Sequence, residues 1–68
     1  MKLSKKLAKL RKIKKLNQLY VANQLGVARQ TISNWETGVS VPDAYQLMQL
    51  AKVFNVSIEE IMKDVEVK

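Results

Sequence analysis

The chain has 68 residues, 47% of them hydrophobic, enough for one compact core and too few for two. It holds no cysteine and no histidine, which excludes disulfide staples, thiol nucleophiles, imidazole bases and the common zinc ligand sets. The net charge of +6 is uneven: residues 1–35 carry nine cations and no acid, and residues 36–68 carry three cations with all six acids, so the first half points toward a polyanion, either nucleic acid or an anionic membrane surface.

Five segments of helical periodicity follow in order, separated by Gly26, Gly38, Pro42 and Asn55. The first, about Ser4 to Lys14, starts at Ser4 as a candidate cap and sets Leu7, Leu10 and Ile13 on one stripe among lysines. The second, about Gln18 to Leu25, is capped by Asn17 and offers Val21, Ala22 and Leu25 to a core. Gly26, Val27 and Ala28 then form a short glycine-containing turn before the third, about Arg29 to Thr37; two helices so joined are the layout of a helix-turn-helix unit. Ala22 stands where these helices must approach closely, with Val27 and Ile32 filling the angle. An ordinary helical hairpin has the same apolar needs, so the corner alone does not decide function. The fourth, about Ala44 to Phe54, is capped by Asp43 and presents Ala44, Leu47, Leu50, Ala51 and Phe54 at amphipathic intervals. The fifth, Ile58 to Met62, starts with Ser57 and Glu60 as a capping box. Nothing alternates as a strand would, so the fold class is all-α.

The third segment is the informative one. At about 100° per residue from Arg29, residues Gln30, Ser33, Asn34 and Thr37 fall between roughly 40° and 140°, and Thr31, Ile32 and Trp35 between roughly 200° and 300°. The tryptophan side is apolar and docks. The other side carries Arg29, Gln30, Ser33, Asn34 and Thr37, short, polar, free of lysine and rich in forked groups: arginine pairs bidentately with guanine, glutamine or asparagine with adenine. A face meant only for solubility would more often carry Glu and Lys.

The stretch from Leu16-Asn17-Gln18 through Val21-Ala22-Asn23-Gln24-Leu25-Gly26-Val27-Ala28-Arg29-Gln30-Thr31-Ile32-Ser33-Asn34-Trp35-Glu36-Thr37-Gly38 to Pro42 resembles the Cro and phage-repressor, or Xre-type, family of helix-turn-helix regulators. The resemblance continues through Leu50–Phe54 and Val56–Ile61 and covers residues 4–62. It implies a five-helix, lambda-repressor-like domain, dimeric on a near-palindromic operator in double-stranded DNA, acting as a transcriptional regulator with repression the expected role. Carried over by position, it implies base contacts from Arg29, Gln30, Ser33 and Asn34. Phosphate contacts fall to Gln18, helped by the N–H groups at its helix's positive end, and to Asn17, Thr37, Ser40 and Tyr20. It also pairs Arg11, the one arginine in the basic segment Lys2–Lys15, with Glu36, because a planar guanidinium holds a carboxylate through two parallel bonds. Two departures stand out. Ala28 replaces a usual capping serine and forfeits on the order of 1 kcal/mol. Leu19 and Tyr20 replace a polar pair, and the Tyr20 ring is expected to pack against the first helix.

Surplus apolar residues in the acidic half, Tyr45, Met48, Val53, Met62, Val65 and Val67, are the candidate dimer interface. The lysines of the first helix supply long-range attraction to DNA. A single domain over 1–68 is expected, with a core at about 4–62 and a short tail at 63–68. The sequence calls for no catalytic residue, no metal, no cofactor and no small-molecule ligand. With no secretory leader and no long apolar run, a cytoplasmic protein with no membrane partner is expected. Two other readings stay open. Residues 2–16 have the pattern of a cationic membrane-surface helix, although the stripe is narrow and lacks aromatic anchors. An antitoxin-like or other protein-interaction module would share the fold and touch DNA secondarily.

Overall fold

The computed structural model describes residues 1–66, which form five helices and no strand. These are α1 (Leu3–Ile13), α2 (Gln18–Leu25), α3 (Arg29–Thr37), α4 (Ala44–Phe54) and α5 (Ile58–Met62). Side-chain caps set three of the starts. Asn17 Oδ1 accepts from the Tyr20 N–H at 2.7 Å, and Ser57 Oγ accepts from the Glu60 N–H at 3.0 Å. Asp43 accepts from the Gln46 N–H while the Gln46 side chain accepts from the Asp43 N–H, a complete capping box at α4 that the sequence reading had not anticipated. Left-handed residues end α2, α3 and α4: Gly26 at φ 71°, Gly38 at φ 84° and Asn55 at φ 57°.

Four local expectations are corrected. α1 begins at Leu3, not Ser4, and no side chain caps it; the Lys6 N–H closes the first turn onto the Lys2 carbonyl at 3.0 Å. Ser4 instead lies half-buried inside the helix, beside Gly38. Ile13 is exposed because α1 outruns the core by its last turn: Leu10 is buried and nothing covers the residue that ends the helix. Ala44 is exposed as the first residue of α4, whose core side starts at Leu47. At α5 only the Ser57 half of the box forms, with no return bond from the Glu60 side chain.

The core draws on every helix: Leu7 and Leu10 from α1, Val21, Ala22 and Leu25 from α2, Ile32 and Trp35 from α3, Leu50, Ala51 and Phe54 from α4, and Ile61 from α5. Ala22 is fully buried and carries the close approach of α2 to α3, with half-buried Val27 against the same core. The Val27 N–H returns to the Ala22 carbonyl at 3.0 Å, which closes the corner and fixes the angle at which α3 leaves.

Met1 meets the segment that follows α5. The N-terminal amine of Met1 donates to the Asp64 carbonyl at 2.9 Å, and the Glu66 N–H donates to the Met1 carbonyl at 2.9 Å. Lys6 is only 8% exposed, its stem buried and its Nζ donating to the Lys63 carbonyl at 2.9 Å. It is therefore not among the exposed lysines of the first helix expected to attract DNA.

Candidate nucleic-acid interface

α3 divides cleanly by face. Ile32 and Trp35 are buried, Trp35 at 4% exposure, while Arg29, Gln30 and Thr37 are exposed and Ser33 and Asn34 half-exposed beside them. The period of the helix forces this split: once the indole docks, residues on the opposite side have nowhere to go but outward. Ala28 stands at the N-cap in extended conformation without a side-chain bond, and the Thr31 N–H returns to the Ala28 carbonyl at 2.9 Å. The helix thus tightens its first turn in place of a cap.

Two hydrogen-bond sets organise the outward face. On the helix itself, Gln30 Nε2 donates to Asn34 Oδ1 at 3.0 Å, one turn along. At its flank, Arg29 Nη1 donates to Gln18 Oε1 at 3.0 Å, and Gln18 Nε2 donates to Glu36 Oε1 at 3.0 Å. Glu36 in turn accepts from Arg11 Nε at 2.7 Å and Nη2 at 2.9 Å, a forked pair whose side chains are 12% and 8% exposed. The third nitrogen of Arg11, Nη1, reaches the Leu16 carbonyl at 2.9 Å. One arginine therefore ties α1, the turn into α2 and the end of α3 together. Burial pushes the Glu36 carboxyl up, but hydrogen bonds from Arg11 and Gln18 and the charges of Arg11 and Lys12 pull it down further, so it lies below its ordinary value. The Glu36 hydrogen bond holds Arg11 above its ordinary value against the opposing effect of burial.

The residues assigned to phosphate differ in how free they are. Asn17 holds the Tyr20 N–H through its Oδ1 and keeps its amide N–H groups available. Gln18 is engaged on both sides and retains one N–H. The Thr37 hydroxyl donates to the Ser33 carbonyl at 2.9 Å, so it must turn to offer its proton to a phosphate. Ser40 is exposed between exposed Val39 and Val41, its N–H donating to the Asn34 carbonyl at 3.3 Å. Tyr20, expected against α1, faces α4. It and Gln24 lie one turn apart on a flank of α2 that α4 closes, and they line a groove with Tyr45, Met48, Lys52 and Val53. Lys2, Lys5, Lys9, Lys12, Lys14 and Lys15 are exposed, with no acidic partner among the described residues.

The candidate dimer residues do not form one patch. Tyr45, at 68% exposure, and Met48, at 49%, share the groove with Val53, which is itself partly committed to the core. Met62 also packs on the core, Val65 is half-buried, and neither lines the groove. Val67 lies outside the described residues. Sequence reasoning missed the Arg29–Gln18–Glu36 chain, which joins residues 11 and 18 positions apart. It also missed the Gln30–Asn34 bond, although their spacing of one helical turn was visible.

The geometry matches known proteins. A helix-turn-helix family model matches residues 7–61. An HTH-type transcriptional activator of Enterococcus faecalis, BcrR, is 39% identical over 66 residues; the match takes in 97% of this chain and 32% of that protein, so the chain spans about a third of its relative's length. Among solved structures, the P22 c2 repressor protein in complex with a synthetic operator superposes at a TM-score of 0.82 and 24% identity, over 90% of this chain and 92% of that one. A transcriptional regulator from Listeria innocua reaches the same TM-score at 28% identity, over 98% of this chain and 63% of that one. The sharp corner between α2 and α3, the third helix anchored by its tryptophan and the matched span all converge: the chain belongs to the helix-turn-helix family of Cro and phage-repressor type, a family of DNA-binding transcriptional regulators.

Proposed function

We propose that this chain binds double-stranded DNA sequence-specifically, with α3 in the major groove and Arg29, Gln30, Ser33 and Asn34 against base edges, as a homodimer on a near-palindromic operator. One observation carries the reading: the exposed side of α3 holds a guanidinium and two carboxamides with no lysine or glutamate among them, held out by the buried Ile32 and Trp35. Asn17 and Gln18 at the start of α2, Tyr20 beside them, and Thr37 and Ser40 after the recognition face take phosphates. The unpaired lysines of α1 add attraction that falls with salt. Exposed Tyr45 and Met48 on α4 supply the apolar surface for pairing, and a symmetric pair sets two recognition helices about 34 Å apart, one duplex turn. The relatives include both an activator and a repressor, so the sign of regulation follows from where the operator lies relative to a promoter.

The test is selection of bound duplexes from a random pool. A two-fold symmetric consensus is expected, and Arg29→Ala and Gln30→Ala should each lose about 1–3 kcal/mol of binding and relax preference at one base pair per half-site. Equal binding to all duplexes, or no loss from either variant, would refute base reading. Sedimentation of the protein with the selected duplex should give two chains per site; one chain per site would remove the dimer.

A further inference from the structure

The Gln30–Asn34 bond bears on which base is read. A free glutamine amide has no fixed sense on a base edge. In one orientation its oxygen accepts from the exocyclic amine of adenine while its nitrogen donates to N7. Rotated by half a turn about the last side-chain bond, it offers its N–H groups to guanine O6 or N7 instead. The two senses differ little in shape, so an unsupported glutamine discriminates poorly between the two purines. Here the amide is not free. Gln30 Nε2 donates to Asn34 Oδ1 at 3.0 Å, so the nitrogen faces along the helix toward residue 34 and the oxygen is left on the other side. With the Asn34 amide held as it stands, turning the Gln30 amide over would bring two carbonyl oxygens together, losing a hydrogen bond and replacing it with a repulsion; only turning both amides together would keep a bond, with its sense reversed.

We propose that Asn34 is a positioning residue for Gln30: by accepting from its amide nitrogen it fixes the sense of the carboxamide and makes the Gln30 position select adenine over guanine. The idea rests on the base-reading function proposed above and names the specificity of that site. The remaining N–H of Gln30 Nε2 is free for adenine N7, and Gln30 Oε1 is free for the adenine amine, so the internal bond and the bidentate base contact coexist. Asn34 keeps its own Nδ2 donors for a neighbouring base or phosphate. A second intramolecular bond beside it works by the same logic: Arg29 is steadied on Gln18 through one nitrogen and keeps the others for its base.

Asparagine-to-aspartate and asparagine-to-alanine changes separate positioning from contact. Asn34→Asp retains an acceptor oxygen in the place of Oδ1, whereas Asn34→Ala removes it. Affinities are measured for paired duplexes that differ only in adenine or guanine at the position Gln30→Ala identifies, and the adenine-to-guanine ratio is the readout, since it cancels the added charge. The unsubstituted protein should favour adenine by about tenfold or more. Asn34→Asp should keep that preference, and Asn34→Ala should reduce it to within about threefold with the melting temperature unchanged. If Asn34→Ala leaves the ratio intact at that base pair while Gln30→Ala abolishes it, the positioning role is refuted and base reading survives. If neither substitution alters preference at any base pair, Gln30 reads no base, and both the positioning role and base reading at this position have failed.

Discussion

The two faces of α3 are built on opposite terms. Ile32 and Trp35 meet a core contributed by all five helices, and the loss of either leaves a void that the neighbours cannot refill. Arg29, Gln30 and Asn34 meet mainly each other and Gln18, through neutral or singly charged hydrogen bonds at the surface, where water competes for every partner. The difference separates two properties within nine residues: one face fixes where the helix lies, and the other is the face proposed to read bases. Glu36 belongs to both. Its carboxylate anchors the helix to Arg11 and, through Gln18, reaches Arg29.

The largest break in that comparison comes from the buried face. Trp35→Ala should destabilise the fold by about 3–5 kcal/mol, enough to unfold much of so small a domain near room temperature, as followed by thermal melting. Arg29→Ala should move the melt by no more than about 0.5 kcal/mol equivalent. Comparable melting shifts for the two would mean that the faces are not separated as described.

Glu36→Gln tests the residue that spans both faces and should have the next largest effect. It leaves the Arg11 guanidinium in a nearly closed site facing a neutral amide, at a cost of about 2 kcal/mol. The same change at exposed Glu59 should cost less than about 0.5 kcal/mol, so equal shifts would remove the anchor. The pH dependence has a defined sign. Because the folded-state Glu36 carboxyl lies below its unfolded value, its contribution is complete above the ordinary glutamate value and is lost as pH falls through the lower folded one. The acid limb of stability should therefore be steeper in the unsubstituted protein than in Glu36→Gln, as read by melting across pH 2–6.

Much of this architecture was legible because helix ends are local chemistry. Asn17, Asp43 and Ser57 cap, and Gly26, Gly38 and Asn55 stop, each within reach of its own neighbours in sequence. The start of α1 differs: Ser4 has the right side chain, but it lies inside the helix beside Gly38 and the cap position falls on Lys2. Ile13 and Ala44 fit the apolar period but sit at helix ends, where the period continues after the core has stopped. Contacts that depend on how helices cross were out of reach. No spacing rule joins Arg29 to Gln18, turns Tyr20 toward α4, or brings Lys6 to the carbonyl of Lys63. The Arg11–Glu36 contact came from family resemblance, not from the period of either helix.

The smallest effect sharpens the comparison at the start of α3. Of the helices in the helix-turn-helix pair, α2 has a capped start at Asn17 and α3 has none at Ala28, although Ala28 already holds the extended backbone that a cap requires, φ −74° and ψ 150°. Ala28→Ser should therefore need no backbone change. Its hydroxyl would accept the Thr31 N–H, which now bends back to the Ala28 carbonyl, and relax the first turn from that tight closure. The expected gain is about 1 kcal/mol, or about 4–8 °C in the melting midpoint for a domain of this size. Because the hydroxyl bonds backbone and touches neither Gln30 nor Asn34, the preference for one purine over the other should not move. A melting gain with an altered base preference would show that the uncapped turn is itself part of recognition, and that the two faces of α3 are coupled through its backbone.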